Sequence, residues 1–495
     1  MASTPATPLP DSVKLHLYCH GLGDCLLVEI PRSGRQPFWM LIDCGIHTSA
    51  QGGTATIRSV VEDIYKITKR LDVIVGTHEH WDHISGFLQA EDLFKKFEVG
   101  EVWFAWTENP ADPDGRQLDK YKTDAADALA MASSQFGAAA DADTVNNMKA
   151  LLGFVFGAKG ERSRDARERL RGLSGKVQHL DPGTMAPLPG DVESVRIYVL
   201  APPRDKKLLG ITDSDVDTYR FGIGTSPLAA ALRNGLALRE GWLDVNEDPL
   251  APFDRGVGQP LSEALSGKLP VARPDIAFLS AHYAGPAQVA EFTMGQGEEH
   301  GEPPSEDQTW RRIDNDWLGV ASDLALQLDS RTNNSSLVLA IEIVATGKVL
   351  IFAADAQVGN WRSWKDVSFP VPPGSPTGTE PVTGADLLKR TVFYKVGHHG
   401  SRNATLSKDG LELMTSPDLV AFIPTDETMA KKVRWSDIPA TRLLSELHRK
   451  TSGRVIQSDR AWLQAPGTPP EVTKGGALRS DPEVVPKLRV SIEIG

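Results

Sequence analysis

The stretch LDVIVGTHEHWDHISGF, residues 71–87, decides how this chain of 495 residues is read. Its first part is a short apolar run of strand length. His78, His80, Asp82 and His83 follow within six positions. Imidazole nitrogens and carboxylate oxygens are the usual ligands of zinc and related divalent metals. His78 and His80, in an extended turn, point the same way; Asp82 and His83 fall where a helix is expected to begin. With 12 histidines in the chain, the H-x-H-x-D-H pattern arises by chance in only roughly one such chain in 2,000. A polar surface loop is therefore the weaker reading. Glu79 and Trp81 read as spacers without a role.

Upstream, "VKLHLYCHG", "DCLLVEI" and "PFWMLIDCG" within residues 13–45 read as strands, and "TATIRSVVEDIYKITKR" carries one apolar helical face. Downstream, "SGFLQAEDLFKKF" reads as helix and "VGEVWFAW" as strand. Ligands just past the C-terminal end of a strand are a recurrent α/β arrangement. The pattern changes at 106–189, an Ala-, Leu- and charge-rich helical insertion that reads equally as a cap over the site or as a packing appendage. "SVRIYVLAPP" returns to strand, and 204–330 is an irregular, Gly/Pro- and acid-rich insertion. "SSLVLAIEI" and "KVLIFAADA" predict a hairpin turning at Ala345-Thr346-Gly347. "TVFYKVGHHGS", "LVAFIPTDE" and "GRVIQ" continue the strand pattern. The expected organisation is a disordered lead at 1–12, one domain over 13–465 interrupted by the two insertions, and a mostly irregular tail at 466–495.

Composition narrows the function classes. A net charge of −12 argues against a generally basic nucleic-acid coat. No stretch approaches the ~18 apolar residues of a membrane span, so no membrane partner is expected. The three cysteines, Cys19, Cys25 and Cys44, are too few for a disulfide framework and read as reduced thiols, which points to the cytoplasm. Self-association, if it occurs, is expected through the helical insertion.

His78-x-His80-x-Asp82-His83 after an apolar strand resembles the signature of the metallo-β-lactamase superfamily, whose fold is an αββα sandwich. "GLGDCLLVEI…FWMLIDCG" (21–45), "NNSSLVLAIEIVATGKVLIFAADA" (333–356) and "YKVGHHGS" (394–401) resemble more narrowly the hydrolase domain of competence-type DNA-uptake proteins and their soluble relatives. The resemblance implies an α/β fold of that kind with two large insertions, and two divalent metal ions. His78 and His80 would hold the first metal. Asp82 and His83 would hold the second, completed by His398, with Asp355 bridging both. Asp43 would orient ligands from behind, and Asp24 would line the mouth. Asp82 is the implied carboxylate for orienting water, and His399, Ser401 and Arg402 are placed to bind a substrate oxyanion or phosphate.

One departure stands out. The superfamily usually supplies a further histidine to the first metal just before the hairpin, where this chain has Thr332-Asn333-Asn334-Ser335. Asn334 could fill in, or His282 could swing in from the second insertion. An oxygen-richer site suits Mn²⁺ or Mg²⁺ better than the otherwise expected Zn²⁺.

Three functions stay open. The first is a two-metal phosphodiesterase or nuclease acting on a short or single-stranded nucleic acid or a nucleotide; the acidic balance disfavours long duplex DNA. The second is a hydrolase of an acyl, thioester or lactam bond, because one fold hosts many chemistries. The third is a non-catalytic binding protein with an inherited fold. Asp426 and Glu427 read as capping or turn residues that could touch substrate. Trp361 and Trp364 read as core residues that could instead stack on a base.

Overall fold

The computed structural model describes residues 9–50, 52–135, 162–211, 328–371, 380–432 and 437–495. The lead at 1–8, parts of both insertions and His282 lie outside the described residues. The chain divides into two compact units, Met1–Ala126 with Asn146–Arg220 and Ala325–Gly495, and Asp127–Val145 with Phe221–Leu324. Both sheets and every candidate site residue among the described residues belong to the first.

The period of the apolar residues builds that unit. Strands β1 (Val13–Tyr18), β2 (Cys25–Ile30), β3 (Phe38–Cys44), β4 (Arg70–Val75), β5 (Glu98–Ala105) and β6 (Val177–Leu180) form one sheet. β7 (Val195–Ala201), β8 (Val338–Ile343) and β9 (Lys348–Phe352) begin a second; a separate short pair is β10 (Ser368–Phe369) with β11 (Val382–Thr383). β12 (Thr391–Lys395), β13 (Val420–Ile423) and β14 (Val455–Gln457) complete the second sheet, in the order β14-β13-β12-β9-β8-β7. Alternate side chains of each strand face opposite sides of a sheet. Leu26, Val28 and Ile30 of β2 and Phe38, Met40 and Ile42 of β3 share one core with Leu339, Ile341 and Ile343 of β8 and Leu350 and Phe352 of β9. That core lies between the sheets.

The opposite faces take helices. Leu27 and Leu41 pack with Ile57, Val60, Val61 and Ile64 of α1 (Gly53–Ile67) and with Ile84 and Phe87 of α2 (Trp81–Gln89). Later in the chain come α3 (Pro113–Gln135) and α4 (Ser163–Arg171); Ala166 and Leu170 of α4 join the same layer. On the far side, Val338, Ala340, Val349 and Ile351 meet Trp361 and Trp364 of α5 (Val358–Trp364) and Leu447 of α6 (Thr441–Lys450). The result is an αββα sandwich of the metallo-β-lactamase kind.

Two features differ from the sequence reading. The segment 466–495, expected to be mostly irregular, contributes β15 (Glu483–Val485) and β16 (Arg489–Ile494). β16 pairs antiparallel with β1 from Val13↔Ile494 to Tyr18↔Arg489, burying Val490, Ile492 and Ile494 in the inter-sheet core. Its strand signal, RVSIEI, is short and follows a Pro- and Gly-rich stretch that masks it. Within 106–189, β6 pairs parallel with β5, so this segment is partly sheet rather than a helical insertion throughout. Trp361 and Trp364 are core residues, as the sequence reading had them: both are fully buried and stacked with ring centroids 3.6 Å apart, which leaves neither face for a base.

β3 pairs parallel with β4, as do β4 with β5, β9 with β12 and β12 with β13. The C-terminal ends of parallel strands converge on one edge, where the ladders stop and side chains are free for chemistry. His78 follows β4, Asp355 follows β9 and His398 follows β12.

Candidate metal centre

The histidine loop is held by backbone that only glycine permits. A Cβ at Gly45 would lie 2.3 Å from the Asp82 carbonyl carbon and 2.4 Å from the His83 nitrogen. The Asp24 N–H donates to the Asp82 carbonyl at 3.0 Å, and Gly45 N–H donates to the Asp24 carbonyl at 3.0 Å. The first turn of α2, which carries Asp82 and His83, therefore rests directly on the β1–β2 and β3 ends. Gly45→Ala is expected to cost about 3 kcal/mol or more by overpacking against backbone that cannot yield. A urea midpoint equal to that of wild type would contradict this.

Asp43 sits behind the loop. Its Oδ1 accepts the Thr77 N–H at 2.9 Å and its Oδ2 the Thr77 hydroxyl at 2.6 Å. His83 Nδ1 lies 2.7 Å from the same Oδ2. A histidine anchored at Nδ1 presents Nε2, the arrangement that orients imidazole ligands in metal sites. His83 Nε2 faces Asp355 Oδ2 at 3.1 Å. The ligand atoms of Asp82, His83, Asp355 and His399 all lie within 4.8 Å of one another. His78 packs against His80 and His83, with ring centroids 4.8 and 4.2 Å apart. The His398 N–H donates to Asp355 Oδ1 at 3.0 Å.

Four non-glycine residues here have left-handed backbone: Asp43 (φ 56), Ala354 (φ 48), His398 (φ 45) and His399 (φ 54). Such conformations cost energy and persist where surrounding bonds over-determine them. The Ala354 carbonyl accepts both Lys395 Nζ at 2.8 Å and the His398 N–H at 3.3 Å.

The donor set fits a divalent cation. His78 Nε2 and Asp82 Oδ1 are buried with no hydrogen-bond partner, a costly condition unless another group satisfies them. The buried carboxylates Asp24, Asp43, Asp82, Asp329 and Asp355 converge here. Among the described residues, Lys395 is the fixed cation paired with them, to Asp24 and, at 3.6 Å, to Asp355. Burial would raise the Asp82 carboxyl, but the His83 charge and the hydrogen bond to His399 hold it well below the usual range. Burial keeps the His78 imidazole neutral and lowers that of His80 to about 3, with both rings ready to donate a lone pair. His83 is the counterweight: burial lowers it, yet Asp355, Asp24, Asp43 and Asp82 together raise it well above the ordinary value.

Other expected residues have different surroundings. Asp24 does not line a mouth: it is 1% exposed and ion-paired with Lys395, beneath the cluster. Asn334 is spent on the backbone, donating to the Leu209 carbonyl at 3.2 Å and the Ile211 carbonyl at 2.6 Å and accepting the Asn360 N–H at 3.0 Å. Both Nδ2 protons are used and Oδ1 is tied to the Asn360 backbone, which turns the amide towards neighbouring main chain. His399 is fully buried between the Pro424 carbonyl (2.7 Å) and Asp82 Oδ2 (2.9 Å), so it supports Asp82 and has no exposed face. The Ser401 hydroxyl donates to Asn403 Oδ1 at 2.8 Å, and Arg402 is exposed on the same loop. Asp426 caps the helix Glu427–Lys432 through the Met429 N–H at 2.8 Å.

Two groups were missed by the sequence reading. Lys395 is one, and its signal was a lysine closing the buried strand TVFYK. Glu79 is the other, and it is not a spacer. It lies 3.0 Å from Lys122 of α3 and 2.8 Å from Arg167 of α4, and both cations also bind Glu108. Arg167 reaches Asp119 as well, at 2.7 Å. This buried cluster ties the segment after β5 to the metal loop. Nothing local marks it, since Glu79 and Arg167 are 88 positions apart. Trp81, the other assumed spacer, is 1% exposed and fills the core beneath the loop.

Residues 20–116 match the metallo-beta-lactamase superfamily. The match contains the whole histidine loop, Asp24 and Asp43, and it stops well before Asp355, which the sandwich brings to Asp82, His83 and His399, and before His398, whose backbone N–H donates to Asp355. No curated protein matches the chain. The superfamily consists mostly of hydrolases that bind divalent metals, and the buried His/Asp cluster is built to hold such an ion. Among the described residues, no helix is long and apolar enough to cross a membrane.

Proposed function

We propose that the chain is a metal-dependent hydrolase of phosphodiester bonds, acting on a short or single-stranded nucleic acid or a nucleotide, in the manner of the competence-type proteins whose motifs it resembles. The observation that carries the metal-dependent part is the convergence of Asp82, His83, Asp355 and His399 at one buried point. His78 and His80 would hold one divalent ion, Asp82, His83 and His398 a second, and Asp355 would serve both. Bound there, the ions would supply a water acidic enough to attack at neutral pH and would neutralise charge developing on the electrophile.

The protein's own groups do the rest. Asp43 and Thr77 fix the His83 ring, and His399 fixes Asp82 through its Nε2. Lys395 offsets the charge of Asp24 beneath the cluster. Arg402, exposed on the loop that carries His398, supports the phosphodiester reading because a guanidinium matches phosphate oxygens in bidentate fashion. Zinc or manganese is the expected occupant.

The test is metal analysis of wild type and Asp82→Ala, with assays on bis-p-nitrophenyl phosphate, oligonucleotides and nitrocefin. Wild type is expected to cleave phosphodiesters, to stop on chelation and to recover on metal addition, while the variant does not recover. Nitrocefin turnover without phosphodiester cleavage would transfer the reading to acyl or lactam hydrolysis. A fully loaded protein inert on a wide ester panel would make it a binding protein.

A further inference from the structure

The place where a histidine was expected for the first metal is filled from one helical turn upstream. Residues 328–334 are helical, so Asp329 and Asn333, four apart, share a face. Asn333 Nδ2 donates to Asp329 Oδ2 at 3.2 Å, which fixes the carboxylate plane. The other oxygen, Oδ1, accepts no hydrogen bond and lies 3.7 Å from His80 Nε2. Asp329 is 8% exposed and Asn333 is 0% exposed, and Asn333 Oδ1 also lacks a partner. A buried carboxylate oxygen aimed at a histidine, with its twin already bonded, is poorly placed for water and well placed for a cation. His78 Nε2, likewise buried and without a partner, belongs to the same loop.

Resting on the reading of the chain as a metal hydrolase, we infer that Asp329 is the third protein ligand of the first metal, completing a two-histidine, one-carboxylate set with His78 and His80, and that Asn333 is its positioning residue. The consequence is chemical. A carboxylate in place of imidazole makes the site harder and shifts its preference from zinc towards manganese. Asn334, the residue nearest the expected position, is instead held by the Leu209, Ile211 and Asn360 backbone, while Asp329 Oδ1 accepts no hydrogen bond.

The experiment is metal uptake by apo-protein, read by elemental analysis and by titration with Mn²⁺ and Zn²⁺ separately, independent of any substrate. Asp329→Ala is expected to take up one equivalent fewer than wild type. Asp329→His is expected to restore uptake and to move the Zn²⁺-over-Mn²⁺ preference at least about tenfold towards zinc. Asp329→Asn keeps the side-chain shape, so it carries the measurement if the alanine variant fails to fold; it is expected to weaken the same equivalent. Asn333→Ala is expected to weaken that equivalent by about 10–100-fold, the usual effect of losing a group that orients a ligand. Uptake and affinity unchanged in both Asp329→Ala and Asp329→Asn would overturn the assignment while leaving the hydrolase reading intact. Wild-type protein that takes up no metal would overturn both.

Discussion

Asp355→Ala is expected to lower metal-dependent ester cleavage by more than roughly 10³-fold, the scale on which activated water and charge neutralisation act together. The expectation rests on where Asp355 stands. It is fully buried, its Oδ2 faces His83 at 3.1 Å, and its Oδ1 accepts the His398 N–H at 3.0 Å. Removing it also strands His83 among the remaining carboxylates, so Asp355→Asn is the companion variant that keeps the His398 bond. Both are read by elemental analysis beside single-turnover cleavage. Metal content and rate that stay near wild type in both variants would show that Asp355 is an ordinary strand-end acid.

Arg167→Ala is expected to destabilise the fold by about 3–5 kcal/mol, because it leaves buried carboxylates without their main cation. Arg167 is the shared partner of Glu79, Glu108 and Asp119; without it Lys122 would remain for Glu79 and Glu108, and Arg164 for Asp119. Since Glu79 lies between His78 and His80, the variant is also expected to bind metal less tightly at neutral pH. The sign of the pH dependence follows from Glu108. Burial raises its carboxyl, but Lys122 and Arg167 together hold it at about 2, against an ordinary 4.5. A depressed carboxyl stabilises the fold fully above its unfolded value and loses that contribution as pH falls. Wild type should therefore lose this share of stability between about pH 4.5 and 2. Arg167→Ala should lose its remaining share at higher pH. Denaturant titrations at several pH values check both; coincident curves would mean that the cluster is solvated.

How much was legible in the sequence depends on how local each signal is. The strand–histidine loop is contiguous, so residue types and spacing alone identify it as a candidate metal loop, and α1 is legible from its 3.6-residue period. β16 escaped because its six residues gain meaning only when paired with β1. Asn334 was a reasonable candidate by position along the chain, yet side-chain direction on a helix decides function. One face of 328–334 turns Asn334 to neighbouring backbone, while Asp329, held by Asn333, turns towards His80.

By itself, the sequence determined the α/β class, the superfamily-like histidine loop and the segments that hold Asp355 and His398. Those follow from periodicity and from ligand chemistry written within short windows. Only the tertiary structure decided that Asp24 lies under the site with Lys395, that His399 supports Asp82, and that Glu79 is clamped by Arg167 from 88 positions away. Burial and pairing of charge are properties of the packed sandwich: no window of sequence states which cation meets which carboxylate once water has been excluded.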